Sequence, residues 1–217
     1  MEKYLKFTSI IDSNHDSIKQ KGLELTHGQE GTIEKARNLF YFVRDEIKYN
    51  PYQPRYLPEH FRASGTLARG EGFCVQKAVL LVALSRAVGI PARLGFAVIK
   101  NHLLPEKMAN MLHGNVLPEH GYAELYLNDK WIKITPTFDL EMCQKNGIVP
   151  VEFDGENDAK FHSHTLDGKL HIEYVLDRGT YDDVPLDEIR EWVIPILKPE
   201  AIKLIFGEST SGKDSPA

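Results

Sequence analysis

Gly72-Phe73-Cys74-Val75-Gln76-Lys77-Ala78-Val79-Leu80-Leu81-Val82-Ala83-Leu84-Ser85-Arg86-Ala87-Val88-Gly89-Ile90-Pro91-Ala92-Arg93 is the stretch on which the reading of this chain turns. From Cys74 to Val88 it holds neither glycine nor proline, and Val75, Ala78 to Leu84 and Ala87 leave no polar side at a 3.6-residue repeat. A helix apolar almost all round has to be buried in the middle of a domain. Gly89 and Pro91 end it, the first as a left-handed cap and the second as a residue that cannot continue the helix.

Upstream, Pro51, Pro54, Pro58, Gly65, Gly70 and Gly72 make residues 51 to 73 a long loop, the kind of segment that lines sites. Before it, Thr32 as N-cap and Ile33, Ala36, Leu39, Phe40, Val43 and Ile47 at helical spacing predict an amphipathic helix that Asn50-Pro51 stops. The polar first 30 residues allow a strand at Lys3 to Ile10, then a loop with a short helix.

Downstream, Arg93 to Ile99 alternates as a strand, and residues 120 to 135 predict a hairpin about Asn128-Asp129. In that register Glu124 faces Lys133, Tyr126 faces Trp131, Leu125 faces Ile132 and Ala123 faces Ile134. Ion and aromatic pairs thus share one face and aliphatic pairs the other, as a sheet with one core side requires. After Pro136 the pattern weakens. Residues 150 to 169 form a polar loop and Leu170 to Leu176 a further strand. Leu186, Ile189, Trp192, Val193 and Ile196 predict a helix broken near Pro195 or Pro199. One domain over 1–206 with a disordered tail over 207–217 is expected.

Cys74 falls at the first turn of the buried helix, behind Gly70-Glu71-Gly72-Phe73. There the helix dipole and unpaired backbone N–H groups favour a thiolate, and the same N–H groups can stabilise an oxyanion. Position alone is expected to lower its pKa, and Gly72 to let a substrate backbone come close. On local sequence, a packed core thiol accounts for Cys74 equally well. Cys143, with no glycine elbow, reads as structural.

His120 starts a strand, and if the hairpin register extends past Ile134 it shares a face with Thr135, Thr137 and Asp139. Thr137 is then directly opposite, with Thr135 and Asp139 as diagonal neighbours at about 7 to 8 Å between backbones. Asp139 is the candidate to orient the imidazole, the third part a Cys-His pair generally uses. Taken without Cys74, His120 and Asp139 read more readily as ordinary strand-end surface residues.

Composition narrows the classes. With 217 residues, 42% hydrophobic content and a net charge of −5, the chain is a folded acidic protein, unlike partners of nucleic acid or anionic membrane, which need clustered Lys and Arg. The start lacks a secretory stretch and the longest apolar run is too short for a bilayer, so a cytoplasmic location is expected. Two cysteines exclude a disulfide framework. His102, His113, His162, His164 and His171 read as solvated loop histidines rather than metal ligands, Asp154-Gly-Glu-Asn-Asp158 lacks a full calcium-loop pattern, and no dinucleotide or phosphate glycine motif is present, so no cofactor is expected.

The glycine-flanked Cys74 helix ending in Leu84-Ser-Arg-Ala-Val-Gly-Ile-Pro-Ala-Arg93, with His120-Gly-Tyr-Ala-Glu-Leu-Tyr-Leu and Trp131-Ile-Lys-Ile-Thr-Pro-Thr137, resembles the core of the transglutaminase-like superfamily over roughly residues 32 to 140. The resemblance implies a papain-related α+β fold, with the Cys helix packed on an antiparallel sheet that carries the His and an acid. It implies a cysteine-nucleophile hydrolase or acyltransferase, most simply a peptidase or amidase, acting on a protein or peptide. In the superfamily the acid usually opens an Asp-Pro-Thr triplet, and that place is Thr135 here. Asp139 is the favoured substitute, Thr135 or Thr137 could orient the ring instead, and an impaired triad would make the chain a binding or scaffold module. A metal-dependent hydrolase using the histidines is the third class.

Overall fold

The computed structural model of the chain describes residues 1–55 and 57–206. After a short 3-10 turn at Glu2–Leu5, the elements run α1 (Asp16–Thr26), α2 (Thr32–Asp45), β1 (Lys48–Tyr49), α3 (Pro58–Phe61), α4 (Ala63–Arg69), β2 (Glu71–Gly72), α5 (Cys74–Ala87) and β3 (Ala92–Asn101). Then follow α6 (Glu106–Ala109), β4 (Val116–Leu127), β5 (Lys130–Ile134), α7 (Leu140–Asn146), β6 (Ile172–Tyr181), α8 (Leu186–Val193) and α9 (Pro199–Phe206). The tail expected at 207–217 lies outside the described residues.

The architecture is the expected α+β one. An antiparallel sheet in the order β5-β4-β3-β6 packs against α5, and α1, α2 and α4 surround the helix on its other sides. Every residue of α5 from Val75 to Arg86 is buried, which is why its sequence has no polar stripe. The hairpin register holds at Ala123–Ile134, Glu124–Lys133, Leu125–Ile132 and Tyr126–Trp131. Asn128 and Asp129 both adopt positive φ, at 47° and 61°, the type I′ geometry whose twist matches the flanking strands.

The polar pairing within that hairpin differs from expectation. Glu124 is bound by Arg93 of the neighbouring β3, at 2.6 Å, and Lys133 by Asp177 of β6, also at 2.6 Å. A guanidinium directly across the β3–β4 ladder offers Glu124 two N–H groups, more than one ammonium can.

Three segments depart from the sequence reading. No strand forms at Lys3 to Ile10; residues 16–26 form α1, whose buried positions Ile18, Gly22 and Thr26 are too small and polar to register as an apolar stripe. A Cβ at Gly22 would come 3.0 Å from Val88 Cγ1, so this glycine sets how closely α1 lies on α5. The loop at 51 to 73 folds partly into α3 and α4. Gly72 serves packing rather than substrate approach: a Cβ there would meet Gln76 Cβ at 3.1 Å and Thr66 Cγ2 at 3.2 Å.

α5 also carries a buried cation. Lys77 is fully buried, and its Nζ donates to the carbonyls of Arg44 and Ile47 where α2 ends. Burial pulls its pKa down to about 7, against the attraction of Asp139 and Asp45. The folded chain therefore binds this proton less readily than the unfolded chain, so stability rises with pH from about 7 towards the ordinary lysine value and is lost as pH falls through 7. Urea unfolding at pH 7 and pH 9 is expected to show a stability gain in the wild type that shrinks in Lys77→Met.

Candidate active site

Cys74 is the first residue of α5 and is partly exposed, whereas Cys143 in α7 is buried. The Cys74 Sγ lies 4.0 Å from the Glu119 carbonyl oxygen and takes support from the Gly121 and Val75 backbone N–H groups. Glu119 and Gly121 flank His120, so the thiol sits against the strand at the histidine. Gly121 is what permits this. A Cβ at that position would come within 2.9 Å of Val75 Cα and Cγ2. Gly121→Ala is expected to push the first turn of α5 off β4, costing about 1–3 kcal/mol by overpacking. Thermal unfolding should move down by roughly 5 °C, and thiol chemistry should suffer more than stability does.

Cys74 and His120 line one small hollow, with Tyr49, Phe73, Phe138 and Phe161 among its walls. His120 is buried, and its ring lies 4.9 Å from that of Phe161 and 5.9 Å from that of Tyr174. Phe161 reaches the site because the loop after β5 folds back: Thr135 N donates to Ala159 O at 2.8 Å, and Ala159 N to Lys133 O at 2.8 Å.

Electrostatics correct the expectation of a thiolate. Burial first, and then the nearby Glu119 carboxylate, push the Cys74 thiol up to about 11, against the two backbone N–H groups and Arg55. Burial alone pulls the His120 imidazole down to about 3. The helix terminus acts as expected but loses to burial and to a carboxylate that the sequence places 45 residues away. Both the thiol and the imidazole that line the hollow are therefore neutral at rest. Iodoacetamide labelling of Cys74 at pH 7.5 is therefore expected to be slower than for a free thiol, and faster in Glu119→Gln.

Asp139 is not beside the imidazole. The ladder of β5 stops at Ile134, Pro136 offers no N–H to extend it, and residues 135–139 run as irregular chain. Asp139 instead caps α7: one carboxylate oxygen accepts from Met142 N and the other from Tyr49 N, each at 3.0 Å. Burial raises its pKa, but those amides, with Lys77 and Lys48, hold it below the ordinary carboxylate range. Asp139 thereby anchors Tyr49, a wall of the hollow, and acts on the site's shape rather than on the ring.

Thr135 and Thr137 are both buried. The His120 Nε2 is a buried polar atom with no hydrogen-bond partner among the described residues, as is the Thr137 hydroxyl. Buried polar atoms are rarely left so.

The sequence reading missed Glu119 and Arg55. Glu119 is buried beside His120, its Oε1 taking Arg55 Nη1 at 3.3 Å, and Arg55 stacks on the Phe73 ring at 4.1 Å. An acid next to the histidine was the one available signal; Arg55 comes from the loop and had none. Among the described residues no three His, Cys, Asp or Glu side chains are grouped to hold a metal. Nor, among them, is any helix long and apolar enough to cross a membrane.

A helix-borne thiol packed against the strand that carries the histidine, on an antiparallel sheet, is a papain-like arrangement. The chain belongs to the transglutaminase-like superfamily, whose profile matches residues 19–136. No curated protein matches it significantly. Among solved structures it is similar to a candidate cysteine protease from Cytophaga hutchinsonii, at 17% identity and a TM-score of 0.53, over 83% of this chain and 46% of that one. It is also similar to the periplasmic domain of TgpA from Pseudomonas aeruginosa, at 19% identity and a TM-score of 0.43, over 61% of this chain and 45% of that one. The chain thus spans less than half the length of each.

Proposed function

We propose that the protein is a cysteine-nucleophile hydrolase that cleaves amide bonds in peptides through an acyl-thioester on Cys74. The observation that carries this reading is the seating of the Cys74 Sγ against the Glu119 carbonyl and the Gly121 amide, the two neighbours of His120, in a hollow that His120 lines.

Because thiol and imidazole are both neutral at rest, proton transfer accompanies attack instead of preceding it. The Cys74 S–H gives its proton to His120 as sulfur bonds to the carbonyl carbon. The C–N bond then breaks and the imidazolium hands that proton to the leaving amine. Water attacks the thioester, His120 takes a proton from it, and the S–C bond breaks to release the carboxylic acid and restore the thiol. An amine in place of water would make the same site a transferase. The backbone N–H groups at the first turn of α5 and at Gly121 are the nearest fixed dipoles to the developing oxyanion.

A second reading, a non-catalytic binding module, is favoured by one observation: no carboxylate is hydrogen-bonded to the His120 ring, and Asp139 is spent elsewhere. Turnover of a mixed peptide library by the wild type and by Cys74→Ala decides between the two. Cleavage that disappears with Cys74 supports the hydrolase. An inactive wild type that still binds peptides supports the module.

A further inference from the structure

The hollow at Cys74 encloses about 30 Å³, room for about one water molecule. It can admit a carbonyl group but no side chain of any size. Next to it is a far larger cavity of about 350 Å³, at the small end of ligand pockets. Pro51, Arg55, Met108, Leu117 and Glu119 line both, so the two spaces adjoin across these side chains. The larger one is walled mainly by apolar side chains from separate parts of the chain, among them Met111 after α6, Leu117 of β4 and Ile196 beyond α8. An acyl group whose carbonyl reaches Cys74 has this cavity as the place for the rest of it.

Gln53, Arg55, Lys107 and Glu119 interrupt the apolar lining, and of these Glu119 borders the hollow at Cys74 with a polar atom left unpaired. Glu119 is 6% exposed, and while its Oε1 meets Arg55, its Oε2 is buried with no hydrogen-bond partner among the described residues. A buried carboxylate oxygen without a partner is costly, and it lies on the border of the two spaces. Burial raises the Glu119 pKa, against Arg55, and a peptide N–H, which any peptide acyl residue carries next to its side chain, is a donor that a small turn of this side chain into the cavity would meet.

We propose that the large cavity is the acyl-side specificity pocket, taking a large apolar side chain such as leucine, methionine or phenylalanine from the residue whose carbonyl Cys74 attacks, with that residue's N–H donated to Glu119 Oε2. The proposal rests on the chemistry proposed at Cys74 and adds the substrate class. Acidic and basic side chains are disfavoured because most of the wall is apolar and would strip their water without replacing it.

The test uses the full chain and p-nitrophenyl esters of N-acetylated glycine, leucine, methionine, phenylalanine, glutamate and lysine, so that the leaving group is constant. Nitrophenol release gives the acylation rate, and intact mass locates the acyl group on Cys74. Leucine, methionine and phenylalanine esters are expected to acylate about ten- to hundredfold faster than the glycine ester, the range that full burial of such side chains provides. The 4-methylpentanoyl ester, leucine without its amide, should lose most of that advantage. Met111→Trp, which narrows the large cavity away from Cys74, should bring the leucine-to-glycine ratio towards one. Equal rates across the series, a preference for glutamate or lysine, or a ratio unmoved by Met111→Trp would overturn the pocket while leaving the Cys74 chemistry standing. No acylation by any ester would overturn that chemistry, and the pocket with it.

Discussion

His120→Gln is expected to slow acylation of Cys74 at pH 7 by about 10²- to 10⁴-fold, the range of a positioned general base. The pH profile should change shape as well as height. In the wild type the imidazole, with a pKa near 3, and the thiol, near 11, hold the same protonation states throughout the neutral range. The acylation rate should then be nearly flat from pH 5 to 9. Without the imidazole only the small thiolate fraction reacts, and that fraction grows tenfold per pH unit below the thiol pKa. The variant should therefore climb steeply with pH and approach the wild type at high pH. An unfolded chain would also climb, but it would level off near the ordinary thiol value of about 8.5, whereas the folded variant keeps climbing towards 11. A wild-type profile that itself climbs tenfold per unit would mean that His120 takes no proton.

Thr135→Asp is expected to act in the opposite direction and raise the acylation rate. Thr135 opens the Thr-Pro-Thr triplet that stands where the superfamily's Asp-Pro-Thr usually stands. It follows the last laddered residue of β5 and is buried next to Tyr174, whose ring lies 5.9 Å from that of His120, and the His120 Nε2 is buried without a partner among the described residues. A carboxylate there could accept from Nε2, fix the tautomer and offset the imidazolium charge that burial now opposes. The acceleration should be about ten- to hundredfold, below the full value of an evolved triad because the surrounding aromatic walls were not shaped around a charge. The His120 pKa, followed by NMR of the ring, should rise in the same variant. A rate that falls while the imidazole pKa stays put would show that residue 135 does not reach the ring.

Legibility in the sequence followed the range of the interactions. The buried helix from Cys74 was readable because its composition leaves no solvent face, and the hairpin because Asn128-Asp129 and the facing residues constrain each other locally. Asp139 was misplaced by extending that local rule through Pro136, where the ladder stops. Capping α7 and holding the Tyr49 amide then took the carboxylate elsewhere. The thiol was misjudged for a different reason. A helix terminus is visible in sequence, but the packing of Phe73, Phe138 and Phe161 around Cys74 and the approach of Glu119 are tertiary. The short helix expected in the first 30 residues is α1, but its packing on α5 was not legible because Gly22 makes the contact, a residue with no side chain to signal burial.

Rapid-quench intact-mass measurement on the wild-type chain with an activated N-acetyl-leucine ester tests the central claim most directly. One acyl adduct is expected, mapped to Cys74, that forms faster than it decays and is absent from Cys74→Ala. Adducts on Cys143, or ester turnover that survives in Cys74→Ala, would contradict it.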